Sequence, residues 1–145
     1  MKSIKNTIYL FFLSLVFACN LPTDNFEKTN EKDFVKVDDK TVEKLNATHE
    51  KFNLYGLSEI VSSYYPEDKY AEGNYSYVIS EPISKGDLTQ VILEVSGIND
   101  DSVEGIRVVF ILKKGELGYT ISSIHEQYKC WEGRGNKEWS KEYCI

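Results

Sequence analysis

The sequence predicts an α+β domain: an N-terminal helix, possible to break at Gly56, packed on a four-stranded antiparallel meander and followed by a disulfide-closed C-terminal loop. Three observations predict it. Apolar residues recur every three or four positions over 40–65, then every two positions from Tyr75 to Ile124, and Cys130 and Cys144 bracket the tail. With 145 residues, 41 % hydrophobic and 28 % charged, the chain has room for one folded domain. That length excludes a multidomain enzyme and an eight-fold βα barrel.

Asp38 or Asp39 can cap a helix that begins near Lys40. Val42, Leu45, His49 and Phe52 then share one face; Gly56 interrupts the pattern; Leu57, Ile60, Val61 and Tyr64 resume it, and Pro66 lies beyond the end. The spacing predicts one helix with a break, or two short helices, over 40–65. Four strands follow. Tyr75, Tyr77 and Ile79 mark the first. In the second, Val91, Leu93 and Val95 alternate with Gln90, Ile92 and Glu94. In the third, Ile106, Val108, Phe110 and Leu112 alternate with Arg107, Val109, Ile111 and Lys113. In the fourth, Tyr119, Ile121 and Ser123 alternate with Thr120, Ser122 and Ile124. Gly86-Asp87, Gly97 to Asp101 and Lys113 to Glu116 supply the turns, and such short links imply antiparallel neighbours.

Ahead of this domain, Lys2 and Lys5 precede an uncharged, mostly apolar run from Ile8 to Ala18. A membrane-spanning helix needs about 20 such residues, whereas this run has the length of a signal-peptide core. It ends in Val16-Phe17-Ala18-Cys19, which resembles the lipobox of bacterial lipoproteins. The resemblance implies a diacylglyceryl group on the Cys19 sulfur, cleavage before it and acylation of the new amino terminus. An ordinary signal peptide, cut after Ala18 without lipid, is the alternative. On the first reading residues 1–18 are the signal peptide, 19–33 a lipidated, disordered tether, and 34–145 the single domain. The expected place is a cell membrane or outer membrane, facing periplasm or exterior, with the lipid at Cys19 as the membrane contact. Removing 1–18 takes away two lysines and no acid, so the formal charge moves from −6 to −8. No basic surplus exists to displace counterions from phosphates, so no nucleic-acid partner is expected.

Three cysteines are present. With Cys19 lipidated, Cys130 and Cys144 remain, and export places them where disulfides persist. Zinc would need four ligands, and neither His49 nor His125 stands at ligand spacing from a cysteine, so a disulfide is predicted and no metal.

Between those cysteines lie Trp131, Gly133-Arg134-Gly135 and Trp139-Ser140. The glycines permit positive φ on both sides of Arg134, which could aim its guanidinium at a carboxylate or phosphate, and the indoles could be ligand platforms. The competing reading seals one end of the sheet with the indoles and pairs Arg134 with an internal acid. Together with Asp100-Asp101-Ser102-Val103 and Arg107, this loop resembles a group of small uncharacterised exported bacterial proteins that end in Cys-x-x-Gly-Arg-Gly, Trp-Ser and a last Cys. The resemblance covers roughly residues 88–144 and implies fold and export, but no reaction. Where that pattern has His after Gly-Arg-Gly, this chain has Asn136, an amide that does not titrate near neutrality.

Ten tyrosines are many for this length, and Tyr64, Tyr65, Tyr70, Tyr75 and Tyr77 cluster after the helix, either as a recognition surface or as core with hydroxyls at the rim. No nucleophile elbow, phosphate loop, dinucleotide loop or zinc-protease motif is present. His49 lies on the apolar helix face and His125 near a strand end, and no nucleophile and base can be paired. The expectation is a non-catalytic, lipid-anchored envelope protein, without cofactor, that binds an envelope protein partner through Arg134, Trp131, Trp139, Tyr70 or Tyr75. An inhibitor or immunity-type lipoprotein steered by its acidic surface is the more specific alternative, and a small envelope hydrolase the rival class.

Overall fold

The computed structural model describes residues 26, 29, 32–69 and 71–145. The expected signal peptide 1–18, Cys19, most of the expected tether 19–33 and Tyr70 lie outside the described residues.

The chain forms β1 (Val35–Lys36), α1 (Asp39–Phe52), α2 (Leu57–Tyr64), β2 (Ser76–Ile79), β3 (Ile83–Lys85), β4 (Leu88–Ser96), β5 (Val103–Lys114) and β6 (Tyr119–Cys130). All pairings are antiparallel, in the order β1-β6-β5-β4-β2, with β3 also on β4. Helices and antiparallel sheet are thus as the sequence predicts, but the sheet has six strands, not four. The two additions are two and three residues long, too short to show a period of two. In β3 the first strand resumes along the same edge of β4 after a break at Ser80-Glu81-Pro82. Proline has no N–H for a ladder. The Ser80 hydroxyl oxygen fills part of the break by accepting from the Ile92 N–H at 2.9 Å.

The helical segment divides at Gly56. Asp38 caps α1, its carboxylate accepting from the Thr41 N–H at 3.0 Å. Asn53, at φ 54°, ends α1, and the Glu59 carboxylate accepts from the Gly56 N–H to start α2. Phe52 does not join the buried face, because the chain leaves the helix immediately after it; the ring is exposed, with the Lys51 ammonium 5.1 Å from its centre.

The main core lies between the helices and one face of the sheet: Val42, Ile60 and Val61 meet Val91, Leu93, Val95, Val108, Phe110, Leu112, Ile121 and Ile124. Ile121 and Ile124 share this face although an odd spacing separates them. The register of β6 against β5 slips between Ile111 and Leu112, and the resulting bulge reverses the alternation after Ile121. The opposite face is also covered. Phe34 packs on Val109 and Ile111, with Phe26 beside them.

The outer edge of β6 is covered piece by piece. The Tyr55 carbonyl accepts from the Tyr119 N–H, and the Val37 N–H donates to the Ile124 carbonyl. Between them Asn46 of α1 acts as a one-residue strand: its Nδ2 donates to the Ile121 carbonyl at 2.8 Å and its Oδ1 accepts from the Ile121 N–H at 2.9 Å. β1 follows, and Ser140 makes a two-way backbone bridge with Tyr128. Asn46→Ala is expected to cost about 2 kcal/mol, since it strands two half-buried backbone groups. Thr48→Ala on the exposed side of α1 stays within about 0.5 kcal/mol. Urea unfolding of both variants checks this, and equal midpoints would remove the role given to Asn46.

Candidate functional site

Cys130 and Cys144 form the predicted disulfide, with Cα atoms 5.5 Å apart. Closing a loop of this size stabilises the fold by roughly 3 kcal/mol in the chain-entropy account. Inside the loop the Asn136 carbonyl accepts from the Cys130 N–H at 2.8 Å, and the Asn136 amide donates to the Ser140 hydroxyl and the Glu142 carboxylate. Asn136 therefore organises the loop. Gly133 and Gly135 both take positive φ, as expected around Arg134, and a Cβ on Gly135 would stand 2.8 Å from the Cys130 sulfur. The Arg134 guanidinium is exposed and has no ion-pair partner among the described residues.

The two tryptophans part company. Trp139 lies on the outer face, where the Arg107 guanidinium sits 4.7 Å from its ring and Gly105 leaves room beneath it. Arg107 in turn pairs with Glu94 at 2.7 Å. Trp131 instead stands at the end of the sheet. Its backbone N–H donates to the Ser102 carbonyl and its indole N–H to the Asp100 carbonyl, both at 2.9 Å, while the ring stays 41 % exposed.

The turn that holds Trp131 is itself fixed by Asp100, whose Oδ1 accepts from the N–H groups of Val103 and Ser102 and from the Ser102 hydroxyl. Those donors hold its carboxyl below the usual range, the Val103 N–H foremost. Gly97, at φ 67°, presses against the carbonyl of Asn74, where any Cβ would collide at 2.5 Å. The loop after α2 is thereby docked on the turn, and Tyr75 strengthens it by accepting from the Asp68 N–H at 3.2 Å. Loop, turn and Trp131 enclose a recess of about 430 Å³ lined by Asp68, Glu72, Ile98 and the indole. Of the predicted binding residues, Trp131 lines the recess, Tyr75 braces the neighbouring loop through Asp68 without lining it, Arg134 follows on the adjoining loop, Trp139 lies elsewhere, and Tyr70 is not described.

Two histidine–serine contacts test the catalytic alternative. The His49 Nε2 lies 2.5 Å from the Ser63 Oγ, and the Ser63 hydroxyl donates to the Ile60 carbonyl at 2.8 Å. Where the serine proton goes to Ile60, His49 donates to the serine, the reverse of nucleophile activation, which needs the imidazole to accept; the ring's role follows its tautomer. His49 is only 2 % exposed, and its Nδ1 has no hydrogen-bond partner among the described residues. His125 is not at a strand end. β6 runs on to Cys130, and the His125 ring, half-buried, lies edge-on to Phe34 with Nε2 3.0 Å from the Ser123 hydroxyl. A further polar cluster has no counterpart in the sequence reading: Tyr64 and Tyr128 each donate to the Glu126 carboxylate at 2.6 Å, bridging α2 and β6. Burial first, then the carboxylate, pushes both phenols up. Among the described residues no group of three or more His, Cys, Asp or Glu side chains could hold a metal ion.

Burial holds both imidazoles below the ordinary 6.5, and the charge of Lys36 adds to the effect at His125. The folded state therefore stays neutral where the unfolded chain takes up protons. The stability this confers is complete above pH 6.5 and is lost as pH falls from 6.5 toward the lowered folded values. Urea midpoints should fall between pH 7.5 and 5.5, and fall less in His49→Gln; a midpoint indifferent to pH across that window would contradict buried neutral imidazoles. In comparison with known proteins, the chain matches no family model, no curated protein and no solved structure.

Proposed function

We propose that this protein is a lipid-anchored, non-catalytic binding module of the cell envelope, and that it engages an envelope protein partner through the sheet end that carries Trp131. The observation that carries the binding half is the state of Trp131. One hydrogen bond from the backbone N–H and one from the indole N–H fix Trp131, yet much of its ring stays open beside a recess flanked by Asp68 and Glu72. A rigid, half-open aromatic loses little entropy on binding and is a common anchor at interfaces. With carboxylates beside it, the recess suits a lysine or arginine side chain laid on the ring. A net charge of −6, or −8 after loss of residues 1–18, favours encounter with a basic partner.

The lipid half rests on Val16-Phe17-Ala18-Cys19. Phe26, packed on the outer face, follows Cys19 by seven residues, a reach of at most about 25 Å. An anchor at Cys19 would therefore keep the outer face near the bilayer and leave the helical face turned away.

Membrane fractionation with mass spectrometry tests the anchor. The wild-type protein should sediment with membranes and carry acyl chains at residue 19, and Cys19→Ala should not. Partner binding should weaken at least about tenfold in Trp131→Ala, the loss expected of a single interface anchor. An unacylated wild-type Cys19, or a partner held equally by Trp131→Ala, would overturn the corresponding half.

A further inference from the structure

The opposite end of the sheet carries a larger concavity, about 740 Å³, between α1 and the β5–β6 hairpin. Its walls are fixed before any ligand arrives. Asn46 ties α1 to Ile121, and Gly118 is packed so closely on Tyr55 that a Cβ would stand 2.7 Å from it. Ala47, Tyr55, Leu117 and Tyr119 give it apolar surface, and Leu117 is 77 % exposed at the hairpin tip.

The charges around it are of one sign. Glu43, Glu50 and Glu116 line the groove, and no lysine or arginine does. The three carboxylates have no ion-pair partner among the described residues, whereas Asp39, Asp87 and Glu132 elsewhere on the surface are each paired with a lysine. His49, also in the lining, adds no opposing charge, because burial keeps it neutral. A ligand that matches an apolar floor and an anionic rim is cationic with an apolar body.

Spacing selects the source of that cation. Glu43 and Glu50 are two helical turns apart on α1, roughly 10 Å along its axis. In a polypeptide in the polyproline II conformation, with three residues to the turn, side chains three residues apart share one face and are separated by roughly 9 Å. We infer that the groove between α1 and the β5–β6 hairpin binds a segment of a partner protein in the polyproline II conformation, with basic residues three positions apart flanking apolar ones. This site is separate from the Trp131 recess and does not depend on it.

The full-length protein in detergent micelles is titrated with acetyl-Lys-Leu-Phe-Lys-amide, with the Glu-Leu-Phe-Glu counterpart and with phenethylammonium, and backbone amide shifts are followed by NMR. The lysine peptide should give saturable shifts over residues 43–50 and 115–120. Its affinity should fall with added salt, fall roughly tenfold in the triple variant E43Q/E50Q/E116Q, and be unchanged in Trp131→Ala. Absent shifts, an equal response to the acidic peptide, an unaltered triple variant or loss of binding in Trp131→Ala would each overturn the inference. Phenethylammonium binding as tightly as the peptide would overturn the polypeptide source in favour of a small amine. Salt dependence and the acidic peptide require no variant, so the test does not hang on the folding of a mutant.

Discussion

The outer edge of β6 is the constraint around which the molecule is arranged. An edge strand of twelve residues would expose a row of unpaired N–H and C=O groups and invite another chain to pair with it. Here the row is taken up by the Tyr55 carbonyl, the Asn46 side chain, Val37 with β1, the Ser140 backbone and the Asn136 carbonyl. They come from four different segments, so satisfying the edge also fixes where those segments lie. Tyr55 and Asn46 set the groove beside the hairpin; Ser140 and Asn136, with the disulfide, set the loop that begins with Trp131. The groove beside the hairpin is a by-product of that hydrogen-bonding requirement, whereas the Trp131 recess also depends on the Asp100 turn and the close approach of Gly97 to Asn74.

The sheet is buried from both sides by unlike means. Helices cover one face over a continuous aliphatic core. On the other, Phe34 and Phe26 lie at one end and the Arg107–Trp139 stack at the other. A β5 strand apolar on both faces is what such a sandwich requires. The asymmetry bears on the proposed role: the face covered by the N-terminal segment is the one an anchored chain would hold toward the membrane, and the helical face, with its acidic groove, would remain open to a partner. The opposite sheet edge is protected differently, by the break at Pro82 that keeps β2 and β3 short.

Much of this was legible in the residues. Asp38 as a cap, the division at Gly56, the core lines Val91-Leu93-Val95 and Val108-Phe110-Leu112, the Gly86 turn and the Cys130–Cys144 bond follow from local pattern and counting. The cover on the second face was not foreseen: Val109 and Ile111 are apolar, but nothing in their spacing says that Phe34 packs on them. The bulge that puts Ile124 beside Ile121 was hidden, because it arises from the register of two strands and not from either one. The same applies to the sites. Trp131 stood out as a large aromatic in a closed loop, whereas Trp139, equally suggestive in the same loop, is occupied by Arg107. Glu43, Glu50 and Glu116 carry no signal in their spacing, because only folding sets them around one groove.

Sequence alone determined the types of the main elements, most of their boundaries (β6 runs six residues past its expected end at Ile124) and the covalent link at the tail, because capping, turn chemistry, periodicity and cysteine number act over short stretches of chain. Tertiary structure decided the two extra strands, the pairing of Asn46 with Ile121, the fate of each tryptophan and the gathering of unpaired carboxylates. Those depend on which distant backbone groups lack partners once the sheet has formed, and that is a property of the assembled edge.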